Sequence, residues 1–223
     1  MSRSLFSILA AFVTLGGLVA VVLAARWVPR IAPSWTKPLA GCCLLTYCAV
    51  LVLRPSTWPV MDLAVLTGAV GCVLLLERGL RTPGAVAAFL VVAAVVDMLS
   101  VSGGISRALV ERYREGTSDL LLYLTLVVPI RNRVIPIVGI GDLLIGGAAA
   151  TALLRLGLRP VAVMGTFAIG LLTALAYGLW RGGAPAVPFV AAAVLFLVWR
   201  HSIRPTRQSA SDRAALAEPC RGA

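Results

Sequence analysis

Long apolar blocks alternate along the whole chain with short breaks rich in Arg, Pro and Gly. The blocks cover residues 5–25, 38–53, 58–76, 84–103, 134–154, 160–180 and 184–198. A helix needs about 20 such residues to cross a hydrocarbon core roughly 30 Å thick. The pattern therefore predicts an all-α fold, a polytopic transmembrane helical bundle of about seven spans that occupies residues 1–200. The polar stretch 201–223 has no apolar periodicity and is expected to form a disordered tail. The first block exceeds the apolar region of about 7 to 15 residues that a secretory signal uses. It leads into Arg26-Trp27-Val28-Pro29-Arg30 and is read as the first transmembrane helix.

One region breaks the alternation. Residues 104–133 gather Arg107, Glu111, Arg112, Arg114, Glu115 and Asp119, which marks an extramembrane loop. Inside it, residues 120–130 are apolar but too few to span, and their Leu, Val, Tyr and Thr content points to a strand or a re-entrant segment.

Composition agrees with a lipid-solvated chain, since 60% of its 223 residues are hydrophobic and 13% charged, against about a quarter charged in soluble domains. The net charge of +11 comes from arginines in the breaks between blocks. There they anchor loops and meet anionic lipid, so no nucleic-acid partner is expected. Cys42, Cys43, Cys48 and Cys72 lie in apolar blocks without a Cys-x-x-Cys pair, and the single histidine, His201, follows the last block. No metal site, no cofactor and no Ser-His or Cys-His pair is expected. The dominance of Arg over the single Lys37, with abundant Ala, Val, Leu and Gly, suggests a GC-rich bacterial genome, and with the apolar blocks a multi-pass protein of a bacterial plasma membrane.

The carboxylates in the apolar blocks carry the chemistry. Burying an Asp near a bilayer centre costs about 2.5 to 3.5 kcal/mol on insertion scales, so such residues usually face a bundle interior and mark function. Asp62 follows Trp58-Pro59 closely and reads as an interfacial or capping carboxylate. Asp97 lies six residues before its block ends, and Asp142 lies eight residues after its block begins. At the helical rise of 1.5 Å per residue, the two lie about 9 Å and 12 Å from the same loop. Helices flanking one loop run antiparallel, so the two carboxyls can meet. A contacting pair shares one proton, leaving one member as base and the other as acid. Around Asp142, Gly139, Gly141, Gly146 and Gly147 permit close backbone approach and access for water or substrate. Glycines are also common where membrane helices pack.

Three motifs resemble, in order, those of the Gly-x-Gly-Asp intramembrane aspartyl proteases: presenilin, signal peptide peptidase and their microbial homologues. Val96-Asp97-Met98-Leu99-Ser100-Val101 resembles the family's Tyr-Asp motif, with Val96 in the place of Tyr. Gly139-Ile140-Gly141-Asp142 resembles its Gly-x-Gly-Asp motif, and Ala184-Pro185-Ala186-Val187-Pro188 its Pro-Ala-Leu motif. Residues 121–129 are similar to the apolar segment before the family's second aspartate. The resemblance covers about residues 84–200, with three blocks before the first aspartate where the family has five helices. It implies a presenilin-like bundle in which Asp97 and Asp142 are catalytic and Gly139, Gly141, Pro185, Ala186 and Val187 support the active site. The implied substrates are transmembrane segments of membrane proteins or signal peptides. Type IV prepilin peptidases share the Gly-x-Gly-Asp pattern but carry Lys two positions after the Asp, where this chain has Leu144. A proton-coupled transporter is the alternative from another class.

With seven spans, one face collects eight of the basic residues and the other, which holds the C-terminus, twelve. The excess places the C-terminus in the cytoplasm and the loop 104–133 outside it.

Overall fold

The structure, a computed structural model, describes residues 3–31, 33–55, 57–130, 133–181 and 186–203. Helix α1 (Arg3–Ile31) is followed by a 3-10 turn, α2 (Thr36–Leu53), α3 (Trp58–Leu76), α4 (Pro83–Gly103) and α5 (Ile105–Arg114). A single helical turn, α6 (Leu120–Tyr123), leads into the antiparallel hairpin of β1 (Thr125–Ile130) and β2 (Arg133–Gly139). Helices α7 (Ile140–Arg155), α8 (Pro160–Arg181) and α9 (Val187–Ile203) complete the described chain.

Among the described residues, five helices contain segments long and apolar enough to cross a membrane: Leu9–Trp27, Thr36–Leu53, Trp58–Leu76, Pro83–Gly103 and Pro160–Tyr177. Their outward faces are apolar too. Phe12, Val52 and Val161 are 72%, 80% and 84% exposed, and a large apolar surface of this kind calls for a solvent other than water. Helix starts follow the expected chemistry. Pro59 and Pro83 occupy first-turn positions where a missing N–H costs nothing, and the Thr82 hydroxyl accepts from the Ala85 N–H.

The block 134–154 is not one helix, which corrects the sequence reading. Its first six residues belong to β2, and the helix begins only at Ile140. Pro136 has no N–H and disfavours helical geometry in the residue before it, while Val134, Ile135, Ile137 and Val138 are β-branched and suit a strand. In this two-stranded sheet both Pro129 and Pro136 sit in edge strands, where proline is tolerated. The apolar stretch 120–130 divides into the turn α6 and strand β1, and the charged loop contains helix α5.

The hairpin is inserted into the bundle. Leu126, Val127 and Val138 are buried, and Leu126 reaches to within 2.9 Å of where a Gly17 side chain would start. Ile140 lies 3.2 Å from the corresponding point at Gly68, ten residues into α3, so α7 starts roughly 15 Å along that helix.

Helix α7 is central, with ten of its 16 residues buried. Its Gly146, Gly147 and Ala148 to Ala150 let α1 and α3 approach closely. A Cβ at Gly147 would fall 2.8 Å from Val21 and 3.0 Å from Val73, the small-residue packing typical of helices in lipid. At the far end of α7, Arg155 pairs with the buried Glu77 at 2.6 Å.

Candidate active site

The first turn of a helix leaves its N–H groups without intrahelical partners. Two such ends are supplied with carboxylates here. Val187 opens α9, and its N–H donates to Asp97 Oδ2 at 3.1 Å, a bond from α9 to a residue of α4 90 positions away. Asp142 is the third residue of α7, and its carboxyl takes the N–H of Gly139, the residue that caps that helix. This is the reaching-back half of a capping box. Each carboxyl thus sits at the positive end of a helix.

The two acids lie on either side of Val187, near enough for charge on Asp97 to act on Asp142. Both converge on the start of α9, where Val187 bonds Asp97 and lines the same cavity as Asp142. Asp142 also lines a cavity walled by Thr14 and Leu18 of α1, Phe167 and Leu171 of α8, and Ala186 and Val187 before and at the start of α9. About 20 Å³ of it can hold the centre of a water molecule, and roughly 10 to 15 Å³ suffices for one water. Asp97, Asp142, Ala186 and Val187 therefore share one location. Pro185 lies outside the described residues.

The glycines divide by role. A side chain at Gly141 would meet nothing within 4 Å, and one at Gly139 would meet Asp142 Oδ2 only at ordinary contact distance, 3.5 Å. Gly139 thus lies beside the carboxyl, and Gly141 packs against nothing. Gly146 and Gly147 instead hold α1 and α3 close, with Leu18 and Val21 of α1 at 3.0 Å and 2.8 Å and Val73 of α3 at 3.0 Å from their Cβ positions.

Two further residues have partners or places that the sequence did not show. Asp62 Oδ1 accepts the Val127 N–H at 2.7 Å. Val127 lies opposite Pro136, where the hairpin register shifts, and Asp62 satisfies its amide inside the bundle. Thr14 lines the cavity while its hydroxyl donates to the Ala10 carbonyl. Nothing in the sequence separates it from Thr46 or Thr67, which bond back in the same way.

Asp62→Ala is expected to destabilise the protein by about 1 to 3 kcal/mol, because the Val127 N–H loses its acceptor. Asp62→Asn, whose amide oxygen still accepts, should stay much nearer to the parent. Thermal unfolding of both variants in detergent checks this.

The chain matches no family model, no characterised protein and no solved structure.

Proposed function

We propose that this chain is an intramembrane aspartyl protease, a presenilin-like bundle of seven spans in which α7 and α9 cross the bilayer with the five longer helices. The observation that carries the reading is the adjacency of Asp97 and Asp142 beside a cavity with room for one water. In the first step the ionised carboxylate takes a proton from that water as its oxygen attacks the scissile carbonyl carbon. The protonated carboxyl donates to the carbonyl oxygen. When the tetrahedral intermediate collapses, the C–N bond breaks, the proton held by the first carboxyl passes to the leaving amine, and one hydroxyl of the intermediate returns its proton to the second carboxyl as the product carboxyl forms. Two carboxyls and water complete the balance.

The surroundings fit these roles. Asp97, held by the Val187 N–H, keeps a fixed orientation. Asp142 lines the cavity, and its Oδ2 lies beside Gly139, 3.5 Å from where a side chain there would start. The substrates that suit a site at this depth are transmembrane segments or signal peptides, delivered through the lipid of a bacterial plasma membrane. Purified protein in liposomes, incubated with candidate transmembrane peptides and analysed by mass spectrometry, tests the reading. Discrete fragments support proteolysis, and intact peptide with proton flux supports a transporter.

By its charge distribution the chain keeps its C-terminus in the cytoplasm. A C-terminal reporter active only in the cytoplasm is the expected result, and activity only outside it would reverse the orientation.

A further inference from the structure

Among the described residues, two buried side-chain oxygens have no hydrogen-bond partner, Glu77 Oε2 and Thr151 Oγ1. Glu77 is 2% exposed and Thr151 is wholly buried. The threonine is unusual in this chain. Thr14, Thr46, Thr67, Thr166 and Thr173 each donate to the carbonyl four residues back, the ordinary way to satisfy a hydroxyl in a helix. Thr151 does not.

The two oxygens lie at one level. Helices α1, α3 and α7 run in the same direction, and both Val21 and Val73 meet the Gly147 position, at 2.8 Å and 3.0 Å. One turn further along each helix come Ala25, Glu77 and Thr151. The acid and the hydroxyl thus face a common interface, and the small Ala25 stands at the same height. The other carboxylate oxygen, Oε1, takes the Arg155 guanidinium at 2.6 Å.

We propose that an ordered water molecule is bound here, donating to Glu77 Oε2 and accepting from the Thr151 hydroxyl. Buried waters characteristically link polar groups that have no other partner. A cation is disfavoured by the Arg155 guanidinium beside the same carboxylate. With Arg155, the water completes a polar latch that fixes α7 against α3 at the end remote from Asp142. This site stands independently of the proteolytic reading.

Thermal unfolding of Thr151→Val and Thr151→Ser, together with an experimental structure of the parent at a resolution that shows waters, tests it. The expected results are a melting temperature lowered by roughly 2 to 8 °C in Thr151→Val, recovery of most of that loss in Thr151→Ser, and density for a water bonded to both oxygens. The proposal is overturned if Thr151→Val is as stable as the parent or more so. It is equally overturned if Thr151→Ser falls as far as Thr151→Val, which marks a lost methyl contact. A structure in which Arg155 engages both Glu77 oxygens, with no density between Glu77 and Thr151, also overturns it.

Discussion

Asp97→Asn and Asp142→Asn are each expected to reduce peptide cleavage on the order of 10³-fold or more while leaving the protein folded. An amide cannot take the proton of the attacking water, and members of a unit that acts together are lost nearly as a whole when one is removed. The folded state should respond weakly, because both carboxyls also act as helix caps. In Asp97→Asn the side-chain amide oxygen can still accept the Val187 N–H that the carboxylate accepts now. In Asp142→Asn it can still accept that of Gly139. Alanine at either position removes both functions. Asp97→Ala and Asp142→Ala should therefore lose activity to the same extent and, in addition, about 0.5 to 2 kcal/mol of stability. Activity and thermal unfolding measured on all four variants separate the chemistry from the capping. Equal melting temperatures in the Asn and Ala pairs would mean that the caps contribute nothing.

The second large effect is expected far from the acids in sequence. Gly170→Val places a Cβ 2.7 Å from the Val190 Cα and 3.1 Å from its N. These are backbone atoms, which cannot swing aside as a side-chain end can. Helix α9 must shift away from α8, at about 1 to 3 kcal/mol or more. Because the N-terminus of α9 holds Asp97, the shift reaches the acids, and misplacement by about 1 Å can cost on the order of 10²-fold in rate. Gly165→Ala on the same helix supplies the control. Its Cβ meets nothing within 4 Å, and alanine favours a helix over glycine by roughly 1 kcal/mol, so activity should be retained and stability unchanged or improved. Cleavage assays and unfolding in detergent check both variants.

Hydropathy blocks and their punctuation were enough to place most helices. The block 58–76 matches α3 (Trp58–Leu76) because Pro59 opens it and Glu77 closes it. The same reasoning failed at residues 134–139, because an apolar run gives no period that distinguishes a strand from a buried helix. The available signal was Pro136 within a β-branched run. The two acids could be brought together on paper, since they flank one loop. Their partners could not be read in that way. The amide that Asp62 satisfies depends on a register shift in the hairpin. Likewise, the Glu77–Arg155 pair joins residues 78 positions apart through helix packing. Contacts that depend on the relative height of packed helices leave no local trace in a sequence.

Hydrolysis in ¹⁸O-labelled water addresses the central claim most directly. Purified protein in liposomes is incubated with a transmembrane peptide, and the products are read by mass spectrometry beside the Asp142→Asn variant. The expected result is discrete fragments from the parent protein, one ¹⁸O atom in each newly formed C-terminal carboxyl, and intact peptide with the variant. Equal fragment yield from parent and variant would contradict it.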